Sequence, residues 1–369
     1  MKVVHMISGG ETGGSRKHVI SLLSQFPNQE VSLVVFQKGQ LYDEAIETGI
    51  DVHLLEQKSR YDLTVLAKLR QFINENNFSI MHTHGPRANL YGAFIKKSVK
   101  AKWLTTIHSD PKLDFMKSGI KGYLFTKLNL WAIQKIDFFF AVSERFADHL
   151  VELGIDRKKI KTIYNGIDFS VTPDPSPTEE HAVTREKLDI DPEAFTITMV
   201  ARLHPVKGHE IVFEAIKSLP KKNKLTLLLV GDGPIEAELK EKANQHNVTE
   251  HVRFLGFRND VEQLLKISDV SLMASYSESF PLALLESAKV KTPVITTDVG
   301  GVKQLITDRN MGWVVNVGDK TSLAAAFEEA MNRKDELPQM GANLHAHAAS
   351  KFSLQQLYTE IKETYLKGV

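Results

Sequence analysis

The sequence predicts an α/β protein made of two doubly wound, parallel-sheet domains. Apolar strand-like runs alternate with helix-like runs through the first half, a proline-rich interruption falls near the middle, and the same alternation then restarts. Near-continuous apolar strands separated by helices are the pattern of βαβ units whose sheet is covered on both faces. At 369 residues the chain is long for one core, so two domains are the default. The expected division is 1–170, 171–352 and a terminal helical segment, 353–369, which could pack back on the first domain or stay with the second.

In the first half the expected strands are Val3–Ile7, Val31–Phe36, Val52–Leu55, Ile80–His84, Trp103–His108, Phe138–Val142 and a short Ile160–Tyr164. Helical patterns lie between them at about 15–26, 61–76, 86–97, 117–135 and 144–153. Residues 171–180 carry three prolines and few apolar side chains, which is a linker composition. Beyond it the expected strands are Thr196–Ala201, Leu225–Val230, Val252–Leu255, Val270–Ala274, Val294–Thr297 and Trp313–Val315, again with helices between.

Hydrophobic residues at 42% and charged residues at 25% are ordinary for a globular protein. The chain has no cysteine, which excludes disulfides and thiolate chemistry and fits a reducing compartment. No run approaches the ~20 apolar residues of a spanning helix. The first seven residues are too short for a signal peptide and read as a strand, so a cytoplasmic location is expected. Net charge is +1, yet residues 1–170 hold 23 Lys+Arg against 17 Asp+Glu. Between Arg87 and Lys135 ten basic residues face only Asp110 and Asp114, which points to an anionic partner.

Two Rossmann-like domains joined by a linker would face each other across a cleft, and open parallel sheets bind ligands outside the carboxyl ends of their strands. The loops at those ends are therefore the candidate sites. Glu278-Ser-Phe-Pro-Leu-Ala-Leu-Leu-Glu286 follows the strand Val270–Ala274. Pro281 suits a first helical turn, which puts Glu278 on the loop and Glu286 about two turns into the helix. Two carboxylate acceptors flanking helix-start N–H donors suit a polyhydroxylated, anionic ligand such as a nucleotide-sugar. Arg202 and Lys207, five apart around the turn after Thr196–Ala201, can hold a diphosphate and stabilise it as a leaving group; a solvated basic turn is the plainer alternative. Val230-Gly231-Asp-Gly-Pro234 and Gly256-Phe257-Arg258-Asn-Asp260 could wall a nucleotide base, though both are good turn formers. Val299-Gly-Gly-Val302 is a similar loop with a weaker claim.

In the first half, Ser8-Gly-Gly-Glu-Thr-Gly13-Gly14-Ser15 opens a helix and lets backbone approach a ligand. It lacks the G-x-G-x-x-G spacing of a dinucleotide fingerprint. His82 and His84 are taken to point to opposite faces of their strand, so one of them is structural and no metal site is expected. His108 is the better candidate for a hydrogen bond to a sugar. Within Arg87–Lys135, apolar residues including Tyr123, Leu124 and Trp131 interleave with Lys117, Lys121 and Lys127. The plainer reading of that pattern is an amphipathic helix covering the sheet; the sharper one is a helix whose exposed rim lies on an anionic membrane.

Together these residues resemble the retaining, GT-B-fold glycosyltransferases that use nucleotide-sugars (glycosyltransferase family 4, group 1 type). The resemblance rests on the glycine loop at 9–14, Thr106-Ile-His108, Asn165-Gly166-Ile167-Asp168, Arg202 with Lys207, Gly231-Asp-Gly-Pro234 and the Glu278/Glu286 pair. It implies a GT-B fold in which Arg202, Lys207, Glu278 and His108 form the catalytic set. Arg202 and Lys207 would grip the donor diphosphate, and Glu286 the ribose. Glu278 and the amides of Phe280 and Leu282 would hold the transferred sugar, which His108 would reach from the opposing domain. Gly13 and Gly14 would lie by the phosphate and acceptor, and Gly231, Phe257, Arg258 and Asn165 would complete the substrate-binding set. Ser279 departs from the glycine common in the family, which bears on donor identity.

The implied reaction moves a sugar from a UDP-sugar to a lipid-linked or envelope-glycan acceptor. Retention would follow same-face attack, the leaving diphosphate taking the acceptor's proton, with neither metal nor cofactor. Expected partners are the donor, the acceptor and the inner face of the plasma membrane, but not nucleic acid, for which no motif exists. A UDP-sugar epimerase of the same fold and a non-catalytic nucleotide-sugar-binding protein are the alternatives.

Overall fold

The structure is a computed structural model that describes residues 1–11, 13–57, 62–109, 111, 119–170, 185–220 and 224–368. The expected linker 171–180, Thr12 of the glycine loop, and residue 110 with 112–118 of the basic stretch lie outside the described residues. The chain divides into two compact units: Met1–Gly166 with Leu354–Val369, and Ile167–Ser353.

Unit 1 runs β1 (Val3–Ile7), α1 (Gly14–Leu23), β2 (Val31–Val35), α2 (Gln40–Glu47), β3 (Val52–Leu54), α3 (Thr64–Glu75) and β4 (Ile80–His84). It continues with α4 (Pro86–Ile95), β5 (Lys102–Ile107), α5 (Gly119–Ile133), β6 (Phe138–Ala141), α6 (Glu144–Glu152) and β7 (Ile160–Thr162). The seven strands are ordered β3-β2-β1-β4-β5-β6-β7. Every pairing is parallel. All five residues of β1 are buried, because each face of the sheet carries its own core. Val4 and Met6 enter one, with Val65, Leu69 and Tyr91; Val3 and Ile7 enter the other, with Val19 and Leu22.

The terminal helix Leu354–Leu366 belongs to unit 1 and lies on the second of those faces. Leu357, Ile361 and Tyr365, spaced four apart, join Val3, Ile7 and Leu22, so one helical stripe closes the face. Helix α2 was absent from the sequence reading. Among its eight residues only Leu41 and Ala45 are buried, too few for a visible period. One expectation is corrected. His82 and His84 do not point to opposite faces: residues two apart in a strand share a face, and their rings stack at 4.6 Å.

Unit 2 contains β8 (Phe195–Val200), α7 (His209–Ser218), β9 (Leu225–Val230), α8 (Glu236–Gln245), β10 (Val252–Gly256), α9 (Val261–Lys266) and β11 (Val270–Met273). Then follow α10 (Leu282–Lys289), β12 (Val294–Thr297), α11 (Val302–Leu305), β13 (Gly312–Val315), α12 (Lys320–Asn332) and α13 (Leu337–Lys351). Its six parallel strands are ordered β10-β9-β8-β11-β12-β13. In both sheets the order reverses beside the first strand, between β1 and β4 and between β8 and β11. Loops leaving those strands diverge to opposite faces and leave the strand ends open.

Ile361 is fully buried on the terminal helix. Ile361→Ala is expected to lower unfolding stability by about 2–5 kcal/mol, read as a lower urea midpoint with an unchanged slope.

Candidate functional site

In unit 2 the loops after β8 and β11 flank the point of reversal. Lys207 sits on the first and Glu278 on the second, and Lys207 Nζ lies 2.5 Å from Glu278 Oε1. The Ser275 hydroxyl donates to the same carboxylate oxygen at 2.7 Å, and the Tyr276 amide donates to the Val206 carbonyl at 2.8 Å. The side chains of Lys207 and Glu278 are 21% and 15% exposed, so water screens the pair only partly. Two glycines make the approach possible. Gly208 has φ +72°, and a Cβ there would stand 2.1 Å from the Ala274 carbonyl oxygen. Gly300 has φ +57°, with a Cβ position 2.2 Å from the Ser279 carbonyl oxygen. The weakly rated Val299–Val302 loop is thus the floor under Glu278 and Ser279.

Arg202 is exposed at the start of the β8 loop. Behind it, the Leu203 amide donates to the Asp232 carbonyl at 2.7 Å, and the Gly231 amide to the Gly256 carbonyl at 2.8 Å. The turn carrying Gly231 therefore braces the Arg202 loop. Phe257 is 71% exposed. Arg258 pairs in two-pronged fashion with Asp260, at 2.8 and 2.5 Å, which holds the Asp260 carboxyl below its usual range.

Phe280 is buried with its ring against Phe352, centroids 4.9 Å apart, so its side chain anchors the loop. Pro281 is the N-cap, with ψ 117°. The helix starts at Leu282, which corrects the expected start at Pro281. Glu286, partly buried, is therefore its fifth residue, one turn in and not two. His209, which the sequence reading passed over, opens α7 beside Lys207. It is 2% exposed and neither ring nitrogen has a hydrogen-bond partner among the described residues. Burial, then the Lys207 charge, lowers its pKa to about 4.

In unit 1 the corresponding loops follow β1, β4 and β5. Gly13 caps α1 and Gly14 is its first residue; both are exposed. The Glu11 carboxylate accepts from the Gly9 and Ser8 amides at 2.7 and 3.1 Å, so those two donors are already engaged. His108 is partly buried and lines a small pocket with Gly85, Asn89, Thr106, Ser109 and Asn129. His18 meets the His108 ring edge-on at 4.9 Å and bonds through Nδ1 to Asn165 Oδ1 at 2.9 Å. Two residues singled out in the sequence, His108 and the buried Asn165, are thus joined through His18. Its position four residues into the helix that follows the glycine loop was the available signal.

Behind His108 lies an all-imidazole cluster in which nitrogens of His5, His82 and His84 come within 4.8 Å of one another. Those nitrogens are already engaged with one another, Tyr365, Thr106 and His108. Burial lowers the pKa of His5 to about 3 and of His18 to about 4. It holds His82, His84 and His108 well below the usual value. All five rings are therefore neutral at neutral pH.

The model of Glycosyltransferase Family 4 matches residues 12–171 and that of Glycosyl transferases group 1 matches residues 181–346. The N-acetyl-alpha-D-glucosaminyl L-malate synthase of Bacillus anthracis is 26% identical over 330 residues, 86% of this chain and 82% of that protein. The UDP-Gal:alpha-D-GlcNAc-diphosphoundecaprenol alpha-1,3-galactosyltransferase of Escherichia coli is 24% identical over 382 residues, 100% of this chain and 97% of that protein. Among solved structures, Anabaena HepE in complex with UDP superposes with a TM-score of 0.87 at 21% identity, covering 100% of both chains. Two parallel Rossmann-like units of this kind make a GT-B fold. The chain belongs to the group 1, family 4 glycosyltransferases.

The buried neutral histidines make an acid limit. Their folded pKa values lie below the unfolded value of 6.5, so the unfolded chain binds more protons as pH falls below that value. Their stabilisation, complete above pH 6.5, is lost on acidification toward the folded values. Urea titrations at pH 7.5, 6.5 and 5.5 are expected to show falling stability, by about 1.4 kcal/mol per pH unit per histidine below pH 6.5.

Proposed function

We propose that the protein transfers a sugar from a UDP-sugar, with retention of configuration, to a lipid-linked or cell-envelope glycan acceptor. The observation that carries this reading is the meeting of Lys207 and Glu278 at the reversal point of the unit 2 sheet, with Arg202 on the same loop as Lys207. Support for the donor comes from the UDP and UDP-glucose complexes of HepE. Support for the acceptor comes from the diphosphoundecaprenol named for the E. coli relative.

In this reading Arg202 and Lys207 hold the diphosphate and neutralise the charge that grows on it as the glycosidic bond breaks. Glu278, oriented by Lys207 and Ser275, accepts from hydroxyls of the transferred sugar. Glu286 accepts from the ribose, and the departing diphosphate takes the acceptor's proton. Phe257 offers an aromatic face to the base, Gly231 braces the diphosphate loop, and Gly13 and Gly14 admit phosphate or acceptor in unit 1. With cationic side chains opposite the diphosphate, the reaction proceeds without a divalent metal.

Activity meets a membrane in this proposal through α5. Tyr123, Leu124 and Trp131 are 64%, 58% and 41% exposed. Lys127 and Lys135 lie over the Tyr123 and Trp131 rings, 4.5 and 3.7 Å from their centroids. These exposed apolar side chains edged by lysines suit an anionic interface. No helix among the described residues is long and apolar enough to cross a membrane.

A UDP-sugar turnover assay tests the chemistry. Arg202→Ala and Glu286→Ala are each expected to lower kcat/KM more than tenfold, about 1.4 kcal/mol or more, with EDTA without effect; near-normal kinetics in both variants refutes the assignment. In liposome co-sedimentation, vesicles with anionic lipid should retain the wild type, and neutral vesicles should not. The double variant Leu124→Ala/Trp131→Ala should lose that retention; equal binding to both vesicle types refutes the membrane reading.

A further inference from the structure

Six hydrogen-bonding groups form an unbroken file through unit 1. Thr106 Oγ1 lies 2.8 Å from His82 Nε2, and His82 Nδ1 lies 2.5 Å from the Tyr365 hydroxyl. That hydroxyl lies 3.2 Å from His5 Nε2, His5 Nδ1 lies 3.0 Å from His84 Nε2, and His84 Nδ1 lies 3.1 Å from His108 Nε2. Every member but His108 is at most 2% exposed, so water substitutes at none of these links.

A neutral imidazole has one N–H and one bare nitrogen, and a phenol has one O–H. In such a file all members donate in the same direction: a reversal between rings sets two donors or two acceptors face to face, and a reversal at Tyr365, whose oxygen can accept from both neighbours, leaves its buried phenol proton without an acceptor. Only two arrangements are possible, all toward His108 or all away from it.

Thr106 decides between them. Among the described residues its hydroxyl has one partner, His82 Nε2, and it is 1% exposed. If His82 donated to it, the threonine proton would be buried with no acceptor among the described residues, the costly outcome for a buried polar group. Thr106 therefore donates to His82 Nε2. His82 then holds its proton on Nδ1 and gives it to the Tyr365 oxygen. Tyr365 donates to His5 Nε2, His5 Nδ1–H to His84 Nε2, and His84 Nδ1–H to His108 Nε2. The proton of His108 is left on Nδ1.

We propose that this file fixes His108 as its Nδ1–H tautomer, so that His108 presents a hydrogen-bond donor, not a base, to a hydroxyl oxygen of a bound sugar. Thr106, His82, Tyr365, His5 and His84 are then positioning residues. Tyr365 couples the terminal helix to the tautomer of a ring on the opposite side of the file. The tautomer assignment stands on geometry alone; the link to a sugar rests on the proposed transferase reading.

Long-range ¹H–¹⁵N correlation spectra of the full chain, labelled with ¹⁵N-histidine and free of ligand, read the tautomers directly. His5, His82, His84 and His108, assigned by single substitutions, are expected all to be Nδ1–H, the reverse of the form that free histidine favours in water. An Nε2–H form at any of the four overturns the file, whatever the activity. Thr106→Val, which removes only the hydroxyl, should give mixed tautomers at all four rings, and Thr106→Ser should restore one. Tyr365→Phe, a second variant in case Thr106→Val folds poorly, should leave His82 as Nδ1–H while freeing His5, His84 and His108. In the turnover assay Thr106→Val should lower kcat/KM by about tenfold or more, with Thr106→Ser near wild type. Altered tautomers with unaltered kinetics would overturn the link to the sugar alone.

Discussion

The reversal of strand order beside the first strand of each sheet is the constraint from which the rest follows. Parallel strands need crossovers, and crossovers are right-handed. A sheet that grows outward from its first strand in both directions therefore sends its helices to opposite faces. At the reversal, between β1 and β4 and between β8 and β11, neighbouring loops leave in opposite directions, and no helix covers the strand ends. Exposed backbone and charged side chains can gather there without being buried in a core. Arg202, Lys207 and Glu278 in unit 2, and the glycine loop in unit 1, stand at these ends, and His108 stands one strand further, after β5.

Charge in unit 2 is held by backbone more than by side chains. The Lys207–Glu278 pair exists because two loops touch at backbone level: Tyr276 with Val206, Gly208 with Ala274, Gly300 with Ser279. Contacts so close leave no room for a Cβ, so the glycines here follow from the sheet's geometry. A partly buried ion pair contributes modestly to stability because desolvation offsets much of its attraction. Its stronger effect is orientation, since each partner and Ser275 restrict where the others can point.

Unit 1 places histidine where sheet interiors usually carry aliphatic side chains. His5, His82 and His84 share a face with Val3, Ile7 and Ile80, and the terminal helix covers that face. Burying polar rings costs little only when every donor and acceptor is matched. The match is supplied by groups far apart in sequence, Thr106 on β5 and Tyr365 at the far end of the chain.

Much of the architecture was legible in the residues alone. Most strands of both sheets announce themselves as apolar runs, because a strand buried on both faces needs apolar residues at successive positions; β4, with His82, Thr83 and His84, and the short β7, Ile-Lys-Thr, are exceptions. The Arg202–Lys207 turn and the Glu278-to-Glu286 segment were equally readable, since turns and helix starts have local rules. Helix α2 was not, having only Leu41 and Ala45 to show. The one-residue shift at Pro281, which makes Glu286 the fifth residue of its helix and not the sixth, depends on a backbone angle that composition does not encode. Nor could the sequence assign the terminal helix to a unit, or reveal that His18, Asn165 and His108 meet, that Ser275 and Lys207 share one carboxylate oxygen, or that Tyr365 completes a file of histidines. Local patterns fix local structure because propensity and periodicity act over a few residues. Which side chains meet is decided by the packing of elements from 24 to 360 positions apart, and only the folded chain brings those together.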